Sequence, residues 1–153
     1  MAAQKGGLEK GITQNGTGFE GTEWNILGQR YLPKAVSDSA FAFETNSEPG
    51  QFVPVHIHPT QDEFILVQEG QLELKLDGQW LTARAGDLVR MPRGISHGYF
   101  NKSDRPVKAL FWVAPAGRLK ALFEGLHNLT DVEEVVRLSA AHDVDFLPPS
   151  AND

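Results

Sequence analysis

His56 and His58 stand two residues apart, and Glu63 follows five residues after the second. Residues at that spacing on a β-strand project from one face with Cα atoms about 6.5 Å apart, so both imidazoles can reach a single ion. Pro59 and Thr60 end the strand. Glu63 then opens the apolar run Phe64-Ile65-Leu66-Val67, where a turn of the chain can bring its carboxylate beside the two rings. A fourth candidate, His97, comes shortly after Met91-Pro92-Arg93-Gly94, a proline-glycine turn that redirects the chain. Imidazole and carboxylate donors suit one divalent transition metal, whether Fe, Ni, Mn, Co, Cu or Zn, and discriminate poorly among them. Four such ligands leave one or two positions open on a five- or six-coordinate ion, as metal catalysis requires. The chain has no cysteine, so thiolate ligands, disulfides and cysteine nucleophiles are excluded.

Short β-rich runs must position these residues. From Trp24 to about Val113 such runs are broken by Gly, Pro, Asn and Asp at the spacing of an all-β sandwich or barrel. Leu72-Glu73-Leu74-Lys75-Leu76 alternates with period two and runs into Asp77-Gly78, a pair favoured in two-residue hairpin turns. Phe64 to Val67 and Ala109 to Val113 are continuous apolar runs, which predicts strands covered on both faces. After Pro115 the period changes. Leu119, Leu122, Phe123 and Leu126, then Val132, Val135 and Val136, predict two short helices, the second opened by a Thr130/Glu133 capping box. Val144, Phe146 and Leu147 are expected to pack back on the body. His127 and His142 fall in or beside the helices and read as exposed polar residues.

The 153 residues suffice for one domain with a single core. Residues 1–18, rich in glycine, read as a flexible lead-in, residues 19–149 as the domain with its helices from about 117, and 150–153 as a tail. A net charge of −6 without any basic run argues against nucleic acid and anionic membrane surfaces as partners. The absence of an apolar stretch long enough for a signal peptide or a membrane span makes the cytoplasm the expected address.

Two stretches resemble the motifs of the cupin superfamily. Gly50, His56, His58, Glu63 and Gly70 match the first motif, and Gly86, Pro92, Gly94, His97 and Asn101 match the second. The flanks Trp24-Asn25-Ile26-Leu27-Gly28, Pro115-Ala116-Gly117 and Phe146-Leu147-Pro148-Pro149 are similar to those of single-domain, quercetin 2,3-dioxygenase-like cupins. The resemblance implies a double-stranded β-helix, the jelly-roll barrel, with His56, His58, Glu63 and His97 as metal ligands around a central cavity. It also implies a ring-cleaving dioxygenase that takes a small aromatic or enolic substrate such as a flavonol together with O2. Glu63 would be the catalytic group, acting either as a ligand or as a free base. Isomerase, epimerase or lyase chemistry, or simple binding of a small molecule, are the alternatives, and a homodimer is the expected assembly.

Strand parity extends the site. Phe52 shares the parity of His56, Ile65 and Val67 that of Glu63, and Tyr99 that of His97. These four are expected to line a pocket suited to a flat aromatic ligand.

Overall fold

Why the chain folds into two facing sheets is visible in the alternation of its strands, as a computed structural model describing residues 8–153 makes plain. Residues 1–7 of the expected lead-in lie outside the described residues. Eleven strands are present among those described: β1 (Trp24–Ile26), β2 (Gln29–Val36), β3 (Phe41–Ser47), β4 (Phe52–Ile57), β5 (Asp62–Glu69), β6 (Gln71–Leu76), β7 (Gln79–Arg84), β8 (Leu88–Met91), β9 (Ser96–Phe100), β10 (Val107–Ala114) and β11 (Asp145–Phe146). Two helices, α1 (Leu119–Leu126) and α2 (Val132–Ala140), lie between β10 and β11. One sheet runs β1-β2-β3-β10-β5-β8 and the other β11-β4-β9-β6-β7, every pairing antiparallel. This is the jelly roll expected, built as two separate sheets rather than one closed barrel.

The hairpin at Asp77-Gly78 forms as its sequence predicts, with positive φ at both residues (49° and 81°) joining β6 to β7. The apolar runs differ from expectation. In β5 and β10 only alternate residues are buried: Glu63, Ile65 and Val67 on one, Val107, Ala109, Phe111 and Val113 on the other. The outward side chains are half-covered by pairing with each other, as in the Phe64–Trp112 stack at 5.2 Å. A continuous apolar run therefore marks a sheet with an apolar outer face here, not a strand buried on both sides.

The core lies between the sheets, where Phe43 stacks on Phe111 at 5.1 Å and meets Phe123 of α1 edge-on at 4.9 Å. The apolar stripe of α1, Leu119, Leu122, Phe123 and Leu126, is buried, so the helix closes one mouth of the sandwich. The second helix begins one residue later than the capping-box reading implies. Its cap is Asp131, whose carboxylate accepts from the amides of Glu133 and Glu134, so a carboxylate sits at the positive end of the helix dipole. The tail returns as expected. β11 pairs with β4, setting Phe146 opposite His56. The Val55 amide donates to Asn152 Oδ1 at 2.8 Å, and the Val55 carbonyl accepts from the Leu147 amide at 3.0 Å. At the other end, the Thr13 hydroxyl donates to the Lys34 carbonyl and the Lys34 ammonium to the carbonyls of Gln14 and Thr17, which lays residues 13–17 along β2. No helix among the described residues is long and apolar enough to cross a membrane.

Candidate metal centre

The placement of the two close histidines depends on an irregularity in β4. Val53 lies opposite Tyr99 and His56 opposite His97, so three steps along β4 answer two along β9, a bulge with one extra residue. Pro54, which has no amide to give a ladder, sits inside it. The bulge reverses strand parity below His56. Phe52, expected in the pocket, instead points outward, is 46% exposed and stacks on Phe100 at 5.5 Å. Opposite the bulge, β9 carries Gly98. A Cβ there would come within 2.9 Å of the Val55 amide nitrogen and 3.1 Å of the Val53 carbonyl oxygen. Gly98→Ala is expected to cost about 1–3 kcal/mol of stability by pushing the strands apart. A lower denaturant midpoint, accompanied by weakened metal retention because His56 and His97 ride on those strands, is the measurable result.

His56, His58, Glu63 and His97 converge. All four are buried, and one donor atom from each lies within 4.8 Å of every other. The His56 Nδ1–H donates to the Pro54 carbonyl at 2.7 Å, which leaves Nε2 with a free lone pair. His58 is oriented by a residue that sequence reasoning passed over. Its Nδ1 lies 2.9 Å from Gln61 Oε1, while the Gln61 amide donates to the carbonyls of Pro115 and Ala116 at 3.0 and 2.8 Å. Those two acceptors fix which way the amide faces, so the oxygen points at His58, its Nδ1 carries the proton and its Nε2 is free. Gly117 leaves the room, since a Cβ there would meet Gln61 Nε2 at 2.8 Å. The only sequence signal for Gln61 was its place between two candidate ligands.

His97 Nε2 lies 3.0 Å from Glu63 Oε1, yet neither atom has the alignment of a hydrogen bond, and His97 Nδ1 is likewise without a partner. Buried polar atoms are normally paired, and a shared cation would give Glu63 Oε1 and His97 Nε2 the partner they lack. The donor set therefore fits a divalent transition metal, as read from the residues.

Burial, with the two neighbouring imidazoles His97 and His58, holds the His56 pKa well below its ordinary 6.5. Burial alone would raise Glu63, but His58 and His97 beside it outweigh that and keep it below the usual carboxylate range. Both shifts act in the same direction on folding. Below pH 6.5 an unfolded chain takes a proton on residue 56 that the folded chain refuses, and below 4.5 the same holds for residue 63. In the presence of chelator, stability is expected to be full above about pH 6.5 and to fall on acidification by up to about 1.4 kcal/mol per pH unit for each such group. Urea midpoints between pH 4 and pH 8 read this directly. A flat profile would contradict the buried, uncharged state of His56.

The centre opens on a cavity of about 50 Å³ lined by His56, His58, Glu63, Val53, Tyr31 and Tyr99, with Leu119, Leu122, Phe123 and Leu126 of α1 and Val135, Ser139 and Val144 closing it. Of the four expected pocket residues only Tyr99 is in this wall. Ile65 and Val67 are fully buried in the core, because the cavity lies toward the α1 end rather than along the whole of β5. Tyr31 was missed because β2 carries no candidate ligand from which parity could be counted, and the helical residues because strand parity says nothing about what an amphipathic helix will be laid against.

Residues 43–113, which span nearly all of β3 to β10 and carry all four converging residues, match the family model Cupin_2, the cupin domain. Over 67 residues the chain is 34% identical to the polyketide synthase protein CurC of Streptomyces cyaneus, covering 44% of each chain. Over 56 residues it is 41% identical to the quercetin 2,3-dioxygenase of Bacillus subtilis (strain 168), covering 37% of this chain but 17% of the dioxygenase. The chain thus spans less than half the length of either curated relative. Among solved structures, KdgF from Halomonas sp. superposes with a TM-score of 0.61 at 18% identity, covering 70% of this chain and 94% of that one. At that identity the likeness is one of fold, the double-stranded β-helix of the cupins.

Proposed function

We propose that this protein is a metal-dependent dioxygenase acting on a small enolic or aromatic compound. The observation that carries the reading is an ionised Glu63, buried among three imidazoles and lining a mostly apolar cavity. His56, His58 and His97 would hold the metal, with Glu63 either completing the set or standing beside it. A divalent ion bound by these residues would lower the pKa of a substrate hydroxyl. Glu63 would accept that proton, and the electron-rich enolate left behind is the form of the substrate that reacts with O2. The apolar stripe of α1 keeps water out while this happens. The likeness of part of the chain to a quercetin 2,3-dioxygenase supports the oxidative chemistry. The cavity limits the substrate. At about 50 Å³ it is far smaller than the roughly 300–1,000 Å³ of a site for a drug-sized ligand, so a flavonol enters only if α1 and α2 move, whereas a small enol asks for less.

The partial likeness to a polyketide synthase protein favours a second reading, in which the same site isomerises or dehydrates a polyoxygenated aromatic without O2. An oxygen electrode with the metal-loaded protein and a panel of flavonols, catechols and diketones separates the two. The first reading expects O2 uptake in step with substrate loss. Substrate conversion that persists without O2 supports the second, and no uptake with any compound overturns the first.

A homodimer remains our proposal for the assembly, with the apolar outer face around Phe64 and Trp112 as the surface to be covered. Sedimentation is expected to give twice the 16.8 kDa chain mass at micromolar concentration.

A further inference from the structure

Two phenols share the cavity wall with the metal-centre residues, and they come from opposite sheets: Tyr31 from β2 and Tyr99 from β9. Packing accounts for their rings. Tyr31 stacks on Phe43 at 5.7 Å and meets Phe123 edge-on at 5.0 Å, while Tyr99 packs on Phe111 at 5.0 Å and runs parallel to His97 at 6.4 Å. Packing does not account for their hydroxyls. Both side chains are buried, yet no hydrogen bond joins either hydroxyl to another described residue, so both stay open to a molecule in the cavity. Phenylalanine would fill the same space. Tyr31, Tyr99 and Glu63 line one and the same small cavity, so the two phenols and the carboxylate face a common ligand space. A third hydroxyl joins them from the cap. Ser139 of α2 is 1% exposed, lines the same cavity, and its Oγ has no partner.

These groups divide the hydrogen bonding of the cavity by type. Glu63 is an acceptor, fit to take a hydroxyl proton, and the tyrosines, neutral near pH 7, can donate. A molecule that satisfies both carries a hydroxyl beside a carbonyl on a planar ring. We propose that Tyr31 and Tyr99 are substrate-positioning residues whose hydroxyls donate to the carbonyl oxygen of a cyclic hydroxy-enone, while its adjacent hydroxyl is directed to Glu63 and the metal centre. The assignment deepens the oxygenase reading and rests on it for the metal-bound end of the ligand. It adds a criterion of its own: compounds with the hydroxyl but without the neighbouring carbonyl lose the contact to the tyrosines. Ser139 contacts the far edge of the same ligand.

Maltol, a small 3-hydroxy-4-pyranone, is a suitable probe. Zinc-loaded protein is titrated with it without O2, and binding is followed by the absorption of maltol and by the near-ultraviolet difference band of tyrosine. Tyr31→Phe and Tyr99→Phe are each expected to raise the dissociation constant about tenfold or more, the loss expected when a hydrogen bond to a charged or strongly polarised oxygen is removed. Each should reduce the tyrosine difference band. Zinc content and melting temperature should stay at the wild-type values, because the rings remain. Ser139→Ala should weaken binding less. If both phenylalanine variants bind maltol within twofold of wild type, or if the wild-type protein does not bind it, the assignment is overturned. The oxygenase reading fails separately: tyrosine-dependent maltol binding with no O2 uptake from any enol would leave the positioning role standing and remove the oxidative chemistry.

Discussion

Alanine at His56 or His97 is expected to take metal content from one equivalent per chain to a small fraction of that. Both imidazoles are buried, and their strands pair directly, His56 opposite His97, with ring centroids 4.5 Å apart. Neither can be replaced by a neighbour, because the other histidines among the described residues are committed elsewhere. His127 Nδ1 accepts the Asn25 amide at 2.9 Å, and His142 Nδ1 lies 2.9 Å from the Leu138 carbonyl. Losing a ligand should cost at least the roughly 10–100-fold in affinity that follows from losing a group that only orients one. The effect carries into folding. Free metal at a hundredfold above its dissociation constant adds about 2.7 kcal/mol to the wild type, which corresponds to about 5–10 °C in melting temperature for a chain of this size. Elemental analysis and melting curves with and without chelator test both parts. Variants that keep a full equivalent of metal, or a wild type indifferent to chelator, would remove the assignment.

Glu63→Gln is expected to lower turnover by about 10²–10⁴, the usual worth of a positioned general base. The amide keeps the size of the side chain in a site with no space to spare. What it loses is the ability to accept a proton, and with it the charge that His58 and His97 hold in place against the cost of burial. Glu63→Asp keeps the charge on a shorter arm and should lose less. Metal content measured beside turnover separates the two roles of the residue. If Glu63 is a ligand, both fall together in the Gln variant; if it stands free, turnover falls while metal stays. Unchanged turnover in Glu63→Gln would exclude the carboxylate from the chemistry.

The four converging residues were legible in the sequence because their spacing and their turns are local. His-x-His fixes a common strand face, and Pro92 with Gly94 fixes the bend before His97. The pocket was not legible in the same way. The argument that put Phe52 beside His56 assumed unbroken alternation, and one extra residue between Val53 and His56 turned Phe52 outward. Proline at position 54 was the available hint, since it fits poorly in a regular ladder. Ile65 and Val67 do face inward, as read, but the sequence could not say how far the cavity extends along β5. The helical stripe was equally plain, yet an amphipathic helix declares only that it is covered. That Leu122 and Phe123 line the cavity beside His56, His58 and Glu63 is a tertiary fact. Gln61 was hidden because its partners, the carbonyls of Pro115 and Ala116, lie more than fifty residues away.

The pairing of β4 with the end of the chain has a bearing on biosynthesis. Val55, next to His56, gives its amide to Asn152 and its carbonyl to Leu147, partners that are translated almost a hundred residues after it. Chains are made at about 5–20 residues per second, so the strand bearing His56 waits many seconds on the ribosome with an open edge. The contacts that close this edge of β4 are therefore made only once residues 147–152 have been translated, long after His56 itself.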